Sequence, residues 1–333
     1  MTDQNSQYGE MALGIGDQIA DVVFTMDYLS DEDVQKARDI ASQYLKCTNH
    51  NYAHKIHAVG HCHIDTAWLW PFSETRRKCA RSWSTQLKLM ELHPEFNFCA
   101  SSAQQYEFVK NDYPELFTRI KEKIEEGRFE PVGGSWVEFD GNIPSGESMT
   151  RQFLYGQNFF KEHFGSYCNV FFMPDTFGYS AQLPQIMKEA KIERFVTQKL
   201  SWNRFTTFPH NTFYWQGIDG TTVLSHFPPA DSYNSEAKLN DVLKSQNNFK
   251  DKGVSNYSLM LFGEGDGGGG PERQHIDSLL RFKDLQGVPN VHISTVNEFF
   301  NCVEEEKSDL YTWIGELYLE IHQGTYTTMC YNK

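Results

Sequence analysis

Residues 60–71 read GHCHIDTAWLWP, and in them His61, His63 and Asp65 stand two residues apart. In an extended chain alternate residues share a face, so the three would point the same way at a strand end. An imidazole and a carboxylate at that spacing can both reach one divalent ion at about 2.0–2.2 Å, which suits zinc and related first-row metals. A lone His-x-Asp is a weak signal. Here it coincides with a strand end and with Trp68 and Trp70, either of which could lie flat against the apolar face of a sugar ring. The competing reading is a polar strand end beside a core tryptophan. A second carboxylate, Asp175, follows the apolar run NVFFMP and precedes Gly178, Ser180 and a helical pattern. Alone, such an Asp reads as a helix cap. Beside a metal it would be held ionised, and an ionised, positioned carboxylate can attack a sugar carbon and form a glycosyl-enzyme.

These groups need a scaffold. From residue 55 strand and helix patterns alternate, with strands at 55–65, 96–100, 129–134, 169–174, 193–198, 259–263 and 291–294. Helical patterns fall at 73–93, 103–125, 146–164, 181–190, 272–284 and 296–306, and residues 212–217 and 221–227 read as a hairpin turned by Ile218, Asp219 and Gly220. Strand–helix alternation with short connections implies a parallel sheet or a β/α barrel, in which chemistry belongs at the carboxyl ends of the strands. Ahead of this, Ile19, Val22, Val23 and Met26 share one helix face, and Ser30 opens an S-x-x-D cap pattern, so 15–46 reads as two helices. Residues 1–50 form an N-terminal helical extension and 51–308 the main β/α domain.

Bulk properties exclude some functions. With 39% hydrophobic residues the chain can bury a large core, and its net charge of −14 repels nucleic acid and anionic membranes. The seven cysteines show no CxxC spacing, so reduced thiols in a cytoplasmic protein are the simplest account. The N-terminus has no basic start followed by an apolar run, and no stretch is long enough to span a membrane, so the expectation is a soluble, intracellular chain. Gly267–Gly270 is followed by no Lys-Ser/Thr pair, which argues against a phosphate loop.

GHCHIDTAWLWP together with PDTFGYSAQLPQI resembles glycoside hydrolase family 38, the class II α-mannosidases. PVGGSWVEFDGNIPSGES, TQKLSWN, SHFPPADSY, FGEGDGGGGP and GELYLEIHQGTYTT look like its cytosolic and vacuolar branch, so that the resemblance runs from about residue 55 to 328. It implies a seven-stranded parallel β/α barrel, one bound zinc or cobalt, an oligosaccharide substrate and hydrolysis with retention. Carried over by motif, His63, Asp65 and Asp175 are metal ligands and Asp175 is also the nucleophile. Trp68 would stack under the mannose, Lys199 would steady Asp175 as an anion, and Asp231 matches a sugar-binding acid. Asp266, after strand LMLFG on a Gly-rich loop, is the best match for the general acid, with Glu264 read as a solvated loop acid and His61 as a residue that orients its neighbours. Trp136, Trp202 and Trp215 are read as core.

The family's members are longer, and a His-Asp pair beyond the barrel supplies a fourth metal ligand. None of the twelve histidines here is followed by Asp, and His322 matches a non-ligand position. Residues 309–333 therefore read as the start of a linker to a missing helical domain, in a truncated chain whose full-length form is compatible with a homo-oligomer. Two rival readings follow. One is an inactive fragment that binds mannosides or a partner. The other is a metal-dependent carbohydrate deacetylase, which would want an HxxxH pair at a later strand end, whereas those spacings occur only at His50/His54 and His57/His61.

Overall fold

The computed structural model describes residues 14–23, 30–49, 54–306 and 309–322. Cys330 and His50, and the rest of the segment after 322, lie outside these. Among the described residues ten strands occur, in the order β1 (Lys55–His61), β2 (Phe98–Ala100), β3 (Phe129–Pro131), β4 (Val170–Phe172), β5 (Arg194–Val196), β6 (Thr212–Gln216), β7 (Thr222–His226), β8 (Tyr257–Phe262), β9 (Asn290–Ile293) and β10 (Thr312–Ile314). They pair into two five-stranded sheets, β3-β2-β1-β8 with β9 on β1, and β10-β6-β7-β5-β4. The β6–β7 hairpin alone is antiparallel. The α/β fold with parallel strands is thus as expected, while the strand pairing gives two sheets instead of one closed seven-stranded circuit.

β1 is the hub. Its lower half, Lys55–Ala58, pairs with β9, its tip pairs with β2, and β8 lies along Lys55–Gly60. A strand flanked on both edges and covered on both faces must be apolar nearly throughout, and every residue of β1 after Lys55 is buried. One apolar cluster draws on both sheets: Val59, Cys99, Val170, Phe172, Val196, Leu224, Leu259 and Leu261 meet Phe299 and Phe300 of helix Val296–Glu305.

The helices depart from the expected spans where local chemistry demands it. The pattern at 103–125 is two helices, Ala103–Asp112 and Pro114–Glu125, broken at Tyr113 (φ −138°) because a residue before proline is pushed out of the helical region. Helix Leu239–Asn248 and strand β10 went unread in the sequence. The Ser30 cap is as read: Ser30 N–H meets Asp33 Oδ2 and Asp33 N–H meets Ser30 Oγ, both at 3.2 Å, at the start of helix Asp31–Leu45. A separate helix covers residues 14–23.

Three buried histidines lie in or beside the strands, His54 just before β1, His57 within it and His226 at the end of β7. His54 Nε2 meets Ser258 Oγ and His57 Nδ1 meets Ser294 Oγ, each at 2.9 Å. The backbone N–H of Leu259 donates to His226 Nε2 at 3.1 Å, so that nitrogen carries no proton and Nδ1 donates to Thr212 Oγ1. Burial lowers all three below the ordinary histidine range, His54 and His57 to about 4 and His226 to about 3.

Candidate active site

Parallel pairing brings strand carboxyl ends to one edge, and the polar residues follow them there. His63 lies just past β1, Glu138 past β3, Asp175 past β4, Lys199 past β5, Tyr233 past β7 and Asp266 past β8. All of these but His63 line, with Asp65, Trp68, Phe177, Trp202 and His322, a cleft of about 750 Å³; His63 is buried behind its wall, against Glu138 and Asp266.

His63 is buried between acids. Its Nε2 lies 2.7 Å from Glu138 Oε2, and its Nδ1 lies 3.3 Å from Asp266 Oδ1. Burial disfavours its charge, but Glu138, Asp266 and Asp175 outweigh that and hold its pKa well above the ordinary value. The other oxygen of Glu138 accepts the Asp175 backbone N–H at 2.8 Å, so one side chain fixes both the histidine and the strand end that carries Asp175. The Lys199 ammonium, buried against the Trp202 ring at 3.4 Å from its centroid, forms an ion pair with Asp175 Oδ1. The Tyr233 hydroxyl lies 2.9 Å from Asp175 Oδ1 and 2.8 Å from Asp266 Oδ1, and burial, with these two acids adding to it, pushes its pKa far up. Asp266 is held below the usual carboxylate range by its His63 contact, with Tyr233 adding to it. Asp65 is shifted up by burial and by the neighbouring acids.

Four carboxylates thus face one imidazole and one ammonium, an excess of negative charge that a cation would balance. Ligand atoms of His63, Asp175 and Asp266 all lie within 4.8 Å of one another. If His63 Nε2–H donates to Glu138, then Nδ1 presents a lone pair toward the two aspartates, the arrangement in which a carboxylate orients a ligating histidine. Nδ1 is buried and has no hydrogen bond of good geometry. The donor set fits a divalent first-row metal. Asp65 lines the same cleft but stands outside that trio.

Other residues fall differently. Asp231 adopts φ +54°, accepts from Asn248 at 2.9 Å and faces a neighbouring cavity of about 290 Å³ with Lys250. His61 packs edge-on to Phe172 inside the fold, its pKa lowered by burial to about 3, with its ring 6.4 Å from that of His63. Trp68 is 63% exposed at the cleft. Glu264 pairs with Gly270 across the turn that carries Asp266 and is exposed. Trp215 is fully buried, but Trp202, read as core, is 47% exposed and lines the cleft. His322 stacks on Phe177, ring centroids 5.3 Å apart. Glu138 and Tyr233 were missed. Each lies inside a motif that carries the family resemblance, WVEFD and PPADSY, but no spacing links them to His63 or Asp175.

Tyr233→Phe removes the hydroxyl between the two aspartates and little volume. We expect an unchanged circular dichroism spectrum and, in any form that hydrolyses an aryl α-mannoside, a kcat reduced by about 10- to 100-fold. An unchanged kcat would exclude Tyr233 from the site.

The family described as "Glycosyl hydrolases family 38 N-terminal domain" matches residues 53–316, and the chain belongs to that family. It is 53% identical to "Alpha-mannosidase 2C1" of Homo sapiens over 325 residues, which cover 98% of this chain and 31% of that protein. It is 55% identical to "Alpha-mannosidase G" of Dictyostelium discoideum over 279 residues, 84% of this chain and 26% of that one. The crystal structure of an alpha-mannosidase from Enterococcus faecalis V583 shares its fold, with a TM-score of 0.68 at 22% identity over 79% of this chain and 31% of that one. The chain therefore spans about a third or less of the relatives it matches.

Proposed function

We propose that the cleft is the active site of a metal-dependent, retaining α-mannosidase acting on terminal α-linked mannose of oligosaccharides. The observation that carries this is the facing pair Asp175 and Asp266, joined through Tyr233, with His63 between them. Retaining glycosidases hold two carboxyl groups about 5–5.5 Å apart, whereas inverting ones need room for a water and use about 6.5–9.5 Å. Carboxylate oxygens of Asp175 and Asp266 within 4.8 Å suit the first class. His63, Asp65 and Asp175 would hold the ion, zinc or cobalt, which when bound supplies Lewis-acid pull on the sugar hydroxyls.

Asp175, ion-paired with the buried Lys199 ammonium, attacks the anomeric carbon. The bond to the leaving oxygen breaks as Asp266 gives that oxygen its proton. Asp266 then takes a proton from water, which displaces Asp175 and frees mannose with its configuration retained. Asp266 is held ionised first by its contact with His63, whose Nδ1 lies 3.3 Å away; with His63 serving as a ligand, that nitrogen would carry no proton to stabilise the carboxylate. Trp68 offers an exposed indole as a platform for the sugar, and Asp231 a polar group in the adjoining cavity.

Two further readings accompany this one. The two sheets are arcs of a seven-stranded barrel, supported by the Gly133 N–H to Val170 carbonyl bond between them, by the bridge of Ser235 to Phe262, and by the shared interior cluster. The setting is cytoplasmic, supported by six described cysteines that are all free thiols. Among the described residues no helix is long and apolar enough to cross a membrane.

The test is hydrolysis of an aryl α-mannoside by the 333-residue chain with zinc, with cobalt and with chelator. We expect release that chelator abolishes and metal restores. Release unaffected by chelator and by exhaustive metal removal would overturn metal dependence. No release, with mannose binding retained in calorimetry, would favour the binding-only reading.

A further inference from the structure

Helix Phe72–Leu92 carries an unusual stripe. Thr75, Lys78, Ser82 and Gln86 recur at spacings of three and four, which places them on one face. A buried helix face is ordinarily apolar, and Cys79, Trp83, Leu87 and Met90 supply such a face beside it. Yet Thr75, Ser82 and Gln86 are themselves buried. Polar groups are kept out of water at a cost unless they are hydrogen-bonded, so the partners of this stripe show what it is for.

Those partners are the backbones of two loops. Gln86 Nε2 donates to the Gly269 carbonyl at 2.8 Å and reaches that of Pro271 at 3.3 Å. The Gly269 N–H donates to Ser82 Oγ at 3.0 Å, and Lys78 Nζ donates to the Gly267 carbonyl at 3.0 Å. One helical turn further back, Thr75 Oγ1 donates to the Thr66 carbonyl at 2.8 Å and receives the Trp70 indole N–H at 3.1 Å. Lys78 also lies 4.2 Å from the centre of the Trp70 ring. The glycine run is what lets the loop lie flush on the helix. Gly268 has φ +98° and a Cβ there would meet Ser82 Oγ at 2.6 Å; Gly270 has φ +83° and a Cβ would meet Gln86 Nε2 at 2.6 Å. The loop's other face is tied down by Gly267 N–H to the His63 carbonyl at 3.3 Å.

We infer that Lys78, Ser82 and Gln86 are positioning residues for Asp266: they clamp the backbone of residues 267–271 so that the carboxyl group is presented at the cleft. The loop would otherwise be the most pliable part of the site, since four consecutive glycines have more backbone freedom to lose than any other tetrapeptide. Asp266 itself sits at φ +55° and is half exposed; its carboxyl oxygens accept from Tyr233 at 2.8 Å and Asn234 at 3.1 Å, which hold the end of the side chain and leave its backbone to the loop. A proton donor misplaced by about 1 Å loses much of its advantage. Through Thr75 the same helix holds the loop bearing Trp68 and Trp70, so the acid and the aromatic wall are set from one rigid element. The assignment of Asp266 as acid rests on the function proposed above; the clamp rests on contacts alone.

The test uses Ser82→Ala, Gln86→Leu and their double variant in the full chain, with Lys78→Met as a third probe. Hydrogen–deuterium exchange is the first readout. Faster exchange in 264–271, with 170–180 unchanged and melting temperature kept, is expected; unchanged exchange in 264–271 overturns the clamp. The second readout is kcat/KM on aryl α-mannosides of graded leaving-group acidity, beside Asp266→Asn. A lost proton donor hurts poor leaving groups most, so we expect losses of about tenfold for the poorest and under about twofold for the best. A loss equal for all leaving groups would overturn positioning of the acid in favour of a structural role. If Asp266→Asn itself shows no such gradient, the acid assignment fails, and exchange still decides the clamp.

Discussion

Asp175→Asn is expected to abolish turnover, by at least about 10³-fold, in any form of the protein that hydrolyses α-mannosides. An amide oxygen cannot attack the anomeric carbon and leave a displaceable ester. The substitution changes almost no volume, and the Glu138 anchor is to the backbone N–H of Asp175, which remains. What changes in the fold is electrostatic. The Lys199 ammonium is only 2% exposed and loses its anionic partner, and breaking a buried pair by removing one member costs about 3–5 kcal/mol when nothing replaces it. Asparagine keeps a carbonyl dipole and Trp202 keeps its ring face on the ammonium, so a fall of a few degrees in melting temperature is expected instead of unfolding. Near-normal rates with a normal melting temperature would sink the nucleophile assignment.

The second large effect is acid sensitivity. His54, His57 and His226 are held neutral in the fold, at about 4, 4 and 3, while an unfolded histidine titrates near its ordinary value of about 6.5. Below that value the unfolded chain binds protons that the folded chain refuses. Stability from these groups is therefore complete above about pH 6.5 and drains away as the pH falls through their folded values. Fully expressed, His54 and His57 would each remove about 3 kcal/mol and His226 about 5 kcal/mol, against the 5–15 kcal/mol that holds a typical domain together, so three together threaten the fold. The surrounding charges shape but do not reverse this: Lys252 adds to the lowering at His54, His292 and Lys55 do so at His57, and Glu298 opposes it there. The melting temperature measured between about pH 7 and pH 4.5 should fall steeply. His226→Gln, which can keep a donor and an acceptor without titrating, should flatten part of the curve. A melting temperature constant over that range would show that these rings accept protons in place.

Much of this was legible in the residues, and the reasons for the rest are physical. The strand patterns were read close to where they fall because a strand buried on both faces leaves an apolar run that no loop needs, as β1 and β8 show. Tyr113-Pro114 announced the break in the long helix, had the rule for a pre-proline residue been applied to it. β10 is three residues long with two of them exposed, so it carries no apolar signature, and its pairing with β6 is a matter of contact across about a hundred residues. In the site, Asp65, Asp175, Lys199, Trp68 and Asp266 share one cleft with His63 buried against Asp266, while Asp231, its backbone left-handed, meets Asn248 and Lys244. Glu138 and Tyr233 could not be paired with anything from sequence. A carboxylate that orients a histidine 75 residues away is chosen by three-dimensional proximity, and sequence spacing says nothing about it.

The segment 312–322 has a consequence for the order of events during synthesis. Glu320 gathers the backbone N–H groups of Arg204, Phe205 and Thr206 on its carboxylate, at 2.7, 2.7 and 3.0 Å, and its own N–H reaches Asn203, 117 positions earlier in the chain. The turn that holds Lys199 and Trp202 thus waits, half-built, for a strap that the ribosome delivers only a hundred residues later. Until it arrives, Phe177 lacks the His322 ring that stacks on it at 5.3 Å, and the turn lacks the acceptor for three of its N–H groups.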